Sequence, residues 1–182
     1  MATNIFNEEG KRIGYILITH NENEGYVGGY LCTDERGVPI EFLHTNDSPI
    51  KVDRFQQLLY GKSLMPELLG RHIAGALISR TDESLKAKPN ILFTQEEAVL
   101  QGYEDPDVAV ILIISEPSNS KVEDNNATTK KISTANGELT MSWQKDKSDK
   151  VEPIIPLLKE IDVMEPFERV SKLLQELKRQ GN

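Results

Sequence analysis

Cysteine is almost missing from this chain of 182 residues: Cys32 stands alone. One thiol excludes an intramolecular disulfide and a zinc site built on thiolates. In a stretch with strand character, Cys32 reads as a small apolar core residue. Long apolar runs are missing as well. The longest, VAVILII from Val108 to Ile114, has seven residues, against the roughly 20 that span a bilayer. The amino-terminal MATNIFNEEGKR has no apolar segment and carries acids where a targeting peptide is basic. The expectation is a cytoplasmic protein with no membrane partner. Positive charge is also short, with 21 Lys and Arg against 29 Asp and Glu and a net charge of −8. Duplex binding needs a dense cationic surface that releases counterions, so nucleic acid is not the expected partner. Residues 51–88 depart locally from that balance, with seven cations against four acids. A solvated helix face accounts for so small an excess, with binding of single-stranded nucleic acid through this basic helix region as a third reading behind the two given below.

Several motifs are missing too. The chain has no GxxxxGK[ST] phosphate loop, no GxGxxG at a strand–helix junction, no GxSxG elbow and no HExxH. No cofactor and no metal are implied.

What is present is a clear alternation of strand and helix signals. RIGYILITH (Arg12 to His20) and GYVGGYLCT (Gly25 to Thr33) are rich in β-branched and aromatic residues, and VPIEFLHT (Val38 to Thr45) alternates in polarity. The glycines of GYVGGY sit inside a strand pattern, where they signal a bulge or close backbone approach. Between the second and third strands lies DERG, with Asp34 placed to accept a turn hydrogen bond and Gly37 to take a positive φ. These acids belong to a hairpin turn rather than to an active site.

Helix follows. VDRFQQLLYG places Val52, Phe55, Leu58 and Leu59 on one stripe and stops at Gly61, and SLMPELLGRHIAGALISR resumes it. Gly70, Ala74 and Gly75 thin its surface for close packing. NILFT (Asn90 to Thr94) is a short strand, QEEAVLQGY a brief helix, and DVAVILIIS a strand covered on both faces. PSNSKVEDNNATTKK (Pro117 to Lys131) reads as a flexible excursion. Asn136-Gly137 marks a hairpin with Leu139, Met141 and Trp143 alternating behind it. The last segment, EPFERVSKLLQELKRQGN, is an amphipathic helix whose stripe is Phe167, Val170, Leu174 and Leu177. Its acids and bases are placed to suit the helix dipole.

The order of elements gives a mixed five-stranded α/β sheet: an antiparallel three-strand meander, then βαβ-type additions with right-handed crossovers. The divisions are a core at 1–116, a flexible insertion at 117–150 holding a small hairpin (132–143), and a helical segment at 151–182. This βββαβαβ…α order resembles the ribonuclease H-like fold across roughly residues 12–116 plus the C-terminal helix. GGYLCTDERGVPIEF followed by LLYGKSLMPELLGRHIAGALI also resembles an uncharacterised group of conserved bacterial proteins with a GGYL…RG.P.EF…LYG…L.P pattern. That second resemblance implies no mechanism.

A ribonuclease H-like nuclease centre holds carboxylates on the first strand, the first helix and the end of the fourth strand, around two ions. Here RIGYILITH has no Asp or Glu, NILFT ends in Thr94, and only Asp53 or Glu67 could supply the helical acid. The expectation is therefore a non-enzymatic interaction or adaptor subunit of a bacterial cytoplasmic assembly. Its protein partner would bind through Trp143 and the stripe of Phe167, Val170, Leu174 and Leu177. The alternative is a small metal-dependent hydrolase. Thr19-His20, His44-Thr45 and Thr94 fall at one end of the sheet with Glu96 and Glu97 just beyond, so His20, His44 and Glu97 are its candidates. Cys32 with His44 offers a thiol–imidazole pair, but no acid is identified to orient it.

Overall fold

The computed structural model describes residues 10–83, 88–114 and 125–181. Strands β1 (Ile13–Asn21), β2 (Gly25–Thr33) and β3 (Pro39–His44) form the antiparallel meander that their short connections demand. Asp34 builds the turn between β2 and β3. Its carboxylate accepts from the Arg36 guanidinium at 2.8 and 3.0 Å, and from the backbone N–H groups of Arg36 at 2.8 Å and Val38 at 2.9 Å. The Arg36 contact, foremost, holds this carboxyl below the usual range. Gly37 closes the turn at φ 79°, where an L side chain is strained.

Helix α1 (Arg54–Tyr60) opens on a reciprocal cap: Asp53 accepts from the Gln56 N–H at 2.8 Å, and the Gln56 side chain accepts from the Asp53 N–H at 3.0 Å. A π-helix (Pro66–Gly75) follows and passes into α2 (Ala76–Ser79). Strand β4 (Ile91–Thr94), helix α3 (Glu97–Gly102) and strand β5 (Ala109–Ile114) complete the parallel part, with β1, β4 and β5 side by side.

The sheet has seven strands where five were expected. Strands β6 (Ala127–Thr134) and β7 (Gly137–Gln144) form a hairpin whose β7 pairs antiparallel to β5, giving the order β3-β2-β1-β4-β5-β7-β6. The physical reason lies in β5. Its run AVILII would otherwise present an unpaired apolar edge. Strand β6 escapes a hydrophobicity reading because it is itself an edge, with Ile132 its one buried side chain. Of the expected excursion, residues 117–124 lie outside the described residues and 127–131 lie in β6.

Both faces of the sheet are covered. The π-helix, α2 and α3 lie on one, over Ile16, Ile18, Tyr30 and Leu92. Helices α4 (Ser148–Val151), α5 (Ile155–Leu158) and α6 (Glu165–Gln180) serve the other, where Tyr15, Phe93, Ile111, Trp143 and Phe167 share a core. The glycines of β2 are what let the helices sit so low. A Cβ on Gly28 would stand 2.4 Å from Ile73, and one on Gly29 would stand 2.7 Å from Val170. Among the described residues, no helix is long and apolar enough to cross a membrane.

Candidate functional site

Parallel strands in an open α/β sheet deliver their ligand-facing residues at their carboxyl ends. Here that edge collects the ends of β1, β3 and β4, because β3 runs antiparallel to β2 and so shares the direction of β1. His20, His44 and the Thr94–Glu97 segment all lie along it, as their strand positions require.

They do not all face the same way. His20 stands opposite Tyr26 and His44 stands opposite Gly29. Tyr26 and Gly29 are an odd number of residues apart on β2, so they point to opposite faces. His20 therefore shares the face of the π-helix, its ring centre 4.2 Å from that of Tyr26 and tilted 30° to it. His44 shares the face of α6, 5.9 Å from Phe42, and its Nδ1 accepts from the Asn46 N–H at 3.3 Å. The two are also offset, since His44 is level with Leu17, three residues short of His20, or about 10 Å along the strand. Cys32 lies with His20 on the other face from His44, and burial pushes its thiol up to about 11.

Glu97, at the first position of α3, accepts a hydrogen bond from Gln101 at 2.9 Å and is exposed. Glu96, one residue earlier, is different. It precedes α3 in extended conformation without capping it, and its N–H donates to the Thr94 hydroxyl at 3.0 Å, a side chain that is wholly buried. Its carboxylate has no hydrogen bond or ion pair among the described residues. Desolvation alone raises its pKa above the usual glutamate range. Glu96 is thus a half-buried carboxyl at the end of the central parallel strand. The sequence places Glu96 and Glu97 side by side; which of them is desolvated depends on where the helix starts.

A two-ion nuclease centre does not fit these residues. Strand β1 offers no carboxylate, Glu67 is turned to Arg71 at 3.3 Å, and Asp53 caps α1. Among the described residues, no group of three or more His, Cys, Asp or Glu could hold a metal ion.

The side chains offered for partner binding lie inside the molecule. Trp143, Phe167, Val170 and Leu174 are buried, and Leu177 is partly so. Trp143 donates its indole N–H to Ser148 at 3.1 Å, and Val170 and Leu174 pack on Gly29.

No family model matches this chain, and no curated protein matches it. Among solved structures, human ENDOV matches over 96% of this chain and 87% of its own, with a TM-score of 0.58 and 12% identity. Marinitoga piezophila Argonaute in complex with guide RNA matches over 82% of this chain and 26% of its own, with a TM-score of 0.39 and 10% identity, too low to weigh. The first likeness makes the fold ribonuclease H-like.

That likeness corrects two expectations. The non-enzymatic adaptor and the exclusion of nucleic acid rested on the missing strand acids and on a net charge of −8. Over 96% of the chain the fold is like that of human ENDOV, and this likeness tells against both. Net charge averages over surfaces that differ locally, so it is a poor guide to one face.

Proposed function

We propose that this chain is a nucleic-acid-acting hydrolase that works at the carboxyl edge of β1 and β4, with Glu96 as its proton-transfer group. The observation that carries the proposal is the whole-chain likeness of its fold to a nuclease. Glu96 adds local support, since a desolvated carboxyl is protonated at higher pH than a free one. In hydrolysis of a phosphodiester, water adds to phosphorus as the bond to the leaving oxygen breaks. A protonated Glu96 supplies the leaving oxygen with its proton and recovers one from the attacking water. His20 shares that face and edge and is the second candidate. His44 faces the other side and is left out of the site.

Labelled single-stranded and duplex DNA and RNA, incubated with wild-type protein and with Glu96→Gln, test the proposal. The expected result is cleavage of at least one substrate by the wild type, slowed about a hundred-fold or more in the variant, the usual weight of a general acid–base group. Equal rates would remove Glu96 from the mechanism. No binding and no cleavage of any substrate would remove the function.

A further inference from the structure

Helix α1 buries none of its residues. Phe55 is 72% exposed, Leu58 75%, Leu59 67% and Tyr60 45%. Four large apolar side chains crowded on two turns form a patch that scattered surface hydrophobics do not explain. The patch is bracketed by Lys51, Arg54 and Lys62, all exposed and with no ion pair among the described residues. The one acid of residues 51–62, Asp53, is committed to the helix cap. On a chain of net charge −8, this segment is a cationic island.

A cleft of about 350 Å³ runs between α1 and the π-helix, with Lys51, Gln56, Tyr60, Leu64 and His72 along its walls. Its volume lies within the range of ligand pockets. Glu67 also lines it, 3.3 Å from Arg71 and 3.7 Å from His72.

We propose that α1 and this cleft form a platform for single-stranded nucleic acid. Bases stack on Phe55 and Tyr60, the amide nitrogen of Gln56 (its oxygen is held by the cap) and His72 offer hydrogen bonds to a base in the cleft, and Lys51, Arg54 and Lys62 track the phosphates. Aromatic faces interleaved with cations suit unpaired bases on a polyanion. A second copy of the chain is the poorer occupant, because packing α1 on itself would bring six like charges together. The inference rests on the proposed action on nucleic acid and names the substrate form that binds.

Fluorescence anisotropy of a labelled DNA or RNA single strand of about 20 nucleotides, followed over a salt series, tests it. Three phosphate contacts predict that affinity falls with salt at a logarithmic slope of about 2. Phe55→Ala and Tyr60→Ala are each expected to weaken binding about ten-fold without changing the slope. The triple charge reversal of Lys51, Arg54 and Lys62 to Glu is expected to weaken binding and flatten the slope. None of these side chains is buried, so thermal unfolding should match the wild type. Wild-type binding that every variant retains would overturn the platform while leaving the proposed function standing. A wild type that binds neither single strands nor duplex would overturn both. A dimer that Phe55→Ala converts to monomer in sedimentation, with nucleic-acid affinity unchanged, would assign the patch to a second copy and overturn the inference.

Discussion

Glu96 is the residue at which structure and chemistry meet most directly. Its carboxyl is raised by burial, so the folded protein holds the proton more tightly than the unfolded chain does. Stability is therefore unaffected by this group at pH values below the usual glutamate range. It falls as pH rises from the unfolded value through the folded one, and above both the charged carboxylate is a constant cost. Glu96→Gln removes that loss. Unfolding midpoints taken from pH 4 to pH 8 are expected to match at the acid end and to favour the variant at neutral pH. A variant less stable than wild type at neutral pH would mean that the carboxylate has a partner. At this scale the sequence was partly legible. Asp34 and Gly37 announced their turn because turn chemistry is local. The separation of His20 from His44 was not legible, because it depends on register across β2, and one step of register inverts every side chain.

At the scale of elements, the π-helix and α3 meet through glycine. A Cβ on Gly102 would lie 1.9 Å from the Pro66 carbonyl oxygen, and one on Gly70 would lie 2.5 Å from the Gly102 backbone. Both contacts are backbone, so no side-chain rotation relieves them. Gly102→Ala is expected to cost about 3 kcal/mol or more, as severe overpacking does, and to lower the thermal midpoint by roughly 6 °C or more for a chain of this size. A midpoint within about 2 °C of wild type would show that the two helices are free to separate. Gly70 was visible in sequence as part of a small-residue strip for close packing, but its partner Gly102 was not, since the two lie far apart in the chain. Helix α6 was legible from periodicity, and so was its apolar stripe. What the stripe covers was not: Val170 and Leu174 fill the space that Gly29 leaves on β2, so the helix docks on its own sheet. The hairpin of β6 and β7 was half visible, through Asn136-Gly137 and the alternation ending at Trp143. Its edge strand was hidden by the polarity that keeps edges soluble.

For the whole molecule, composition misled where topology did not. Three meander strands followed by parallel additions emerged from turn lengths and hydrophobic runs alone. The net charge of −8 outweighed the cationic excess visible at 51–88, although a sum over the chain has no spatial resolution and residues 51–62 join that charge to exposed aromatics. Action on nucleic acid is the central claim, and it assigns two regions of one molecule, the α1 platform and the carboxyl edge at Thr94–Glu97. Hydrogen exchange of the wild-type protein, alone and saturated with a single-stranded oligonucleotide, tests both at once. Slowed exchange at residues 51–63 and 94–97, with the β6–β7 hairpin unchanged, is the predicted result. Identical exchange everywhere with and without the strand would contradict it.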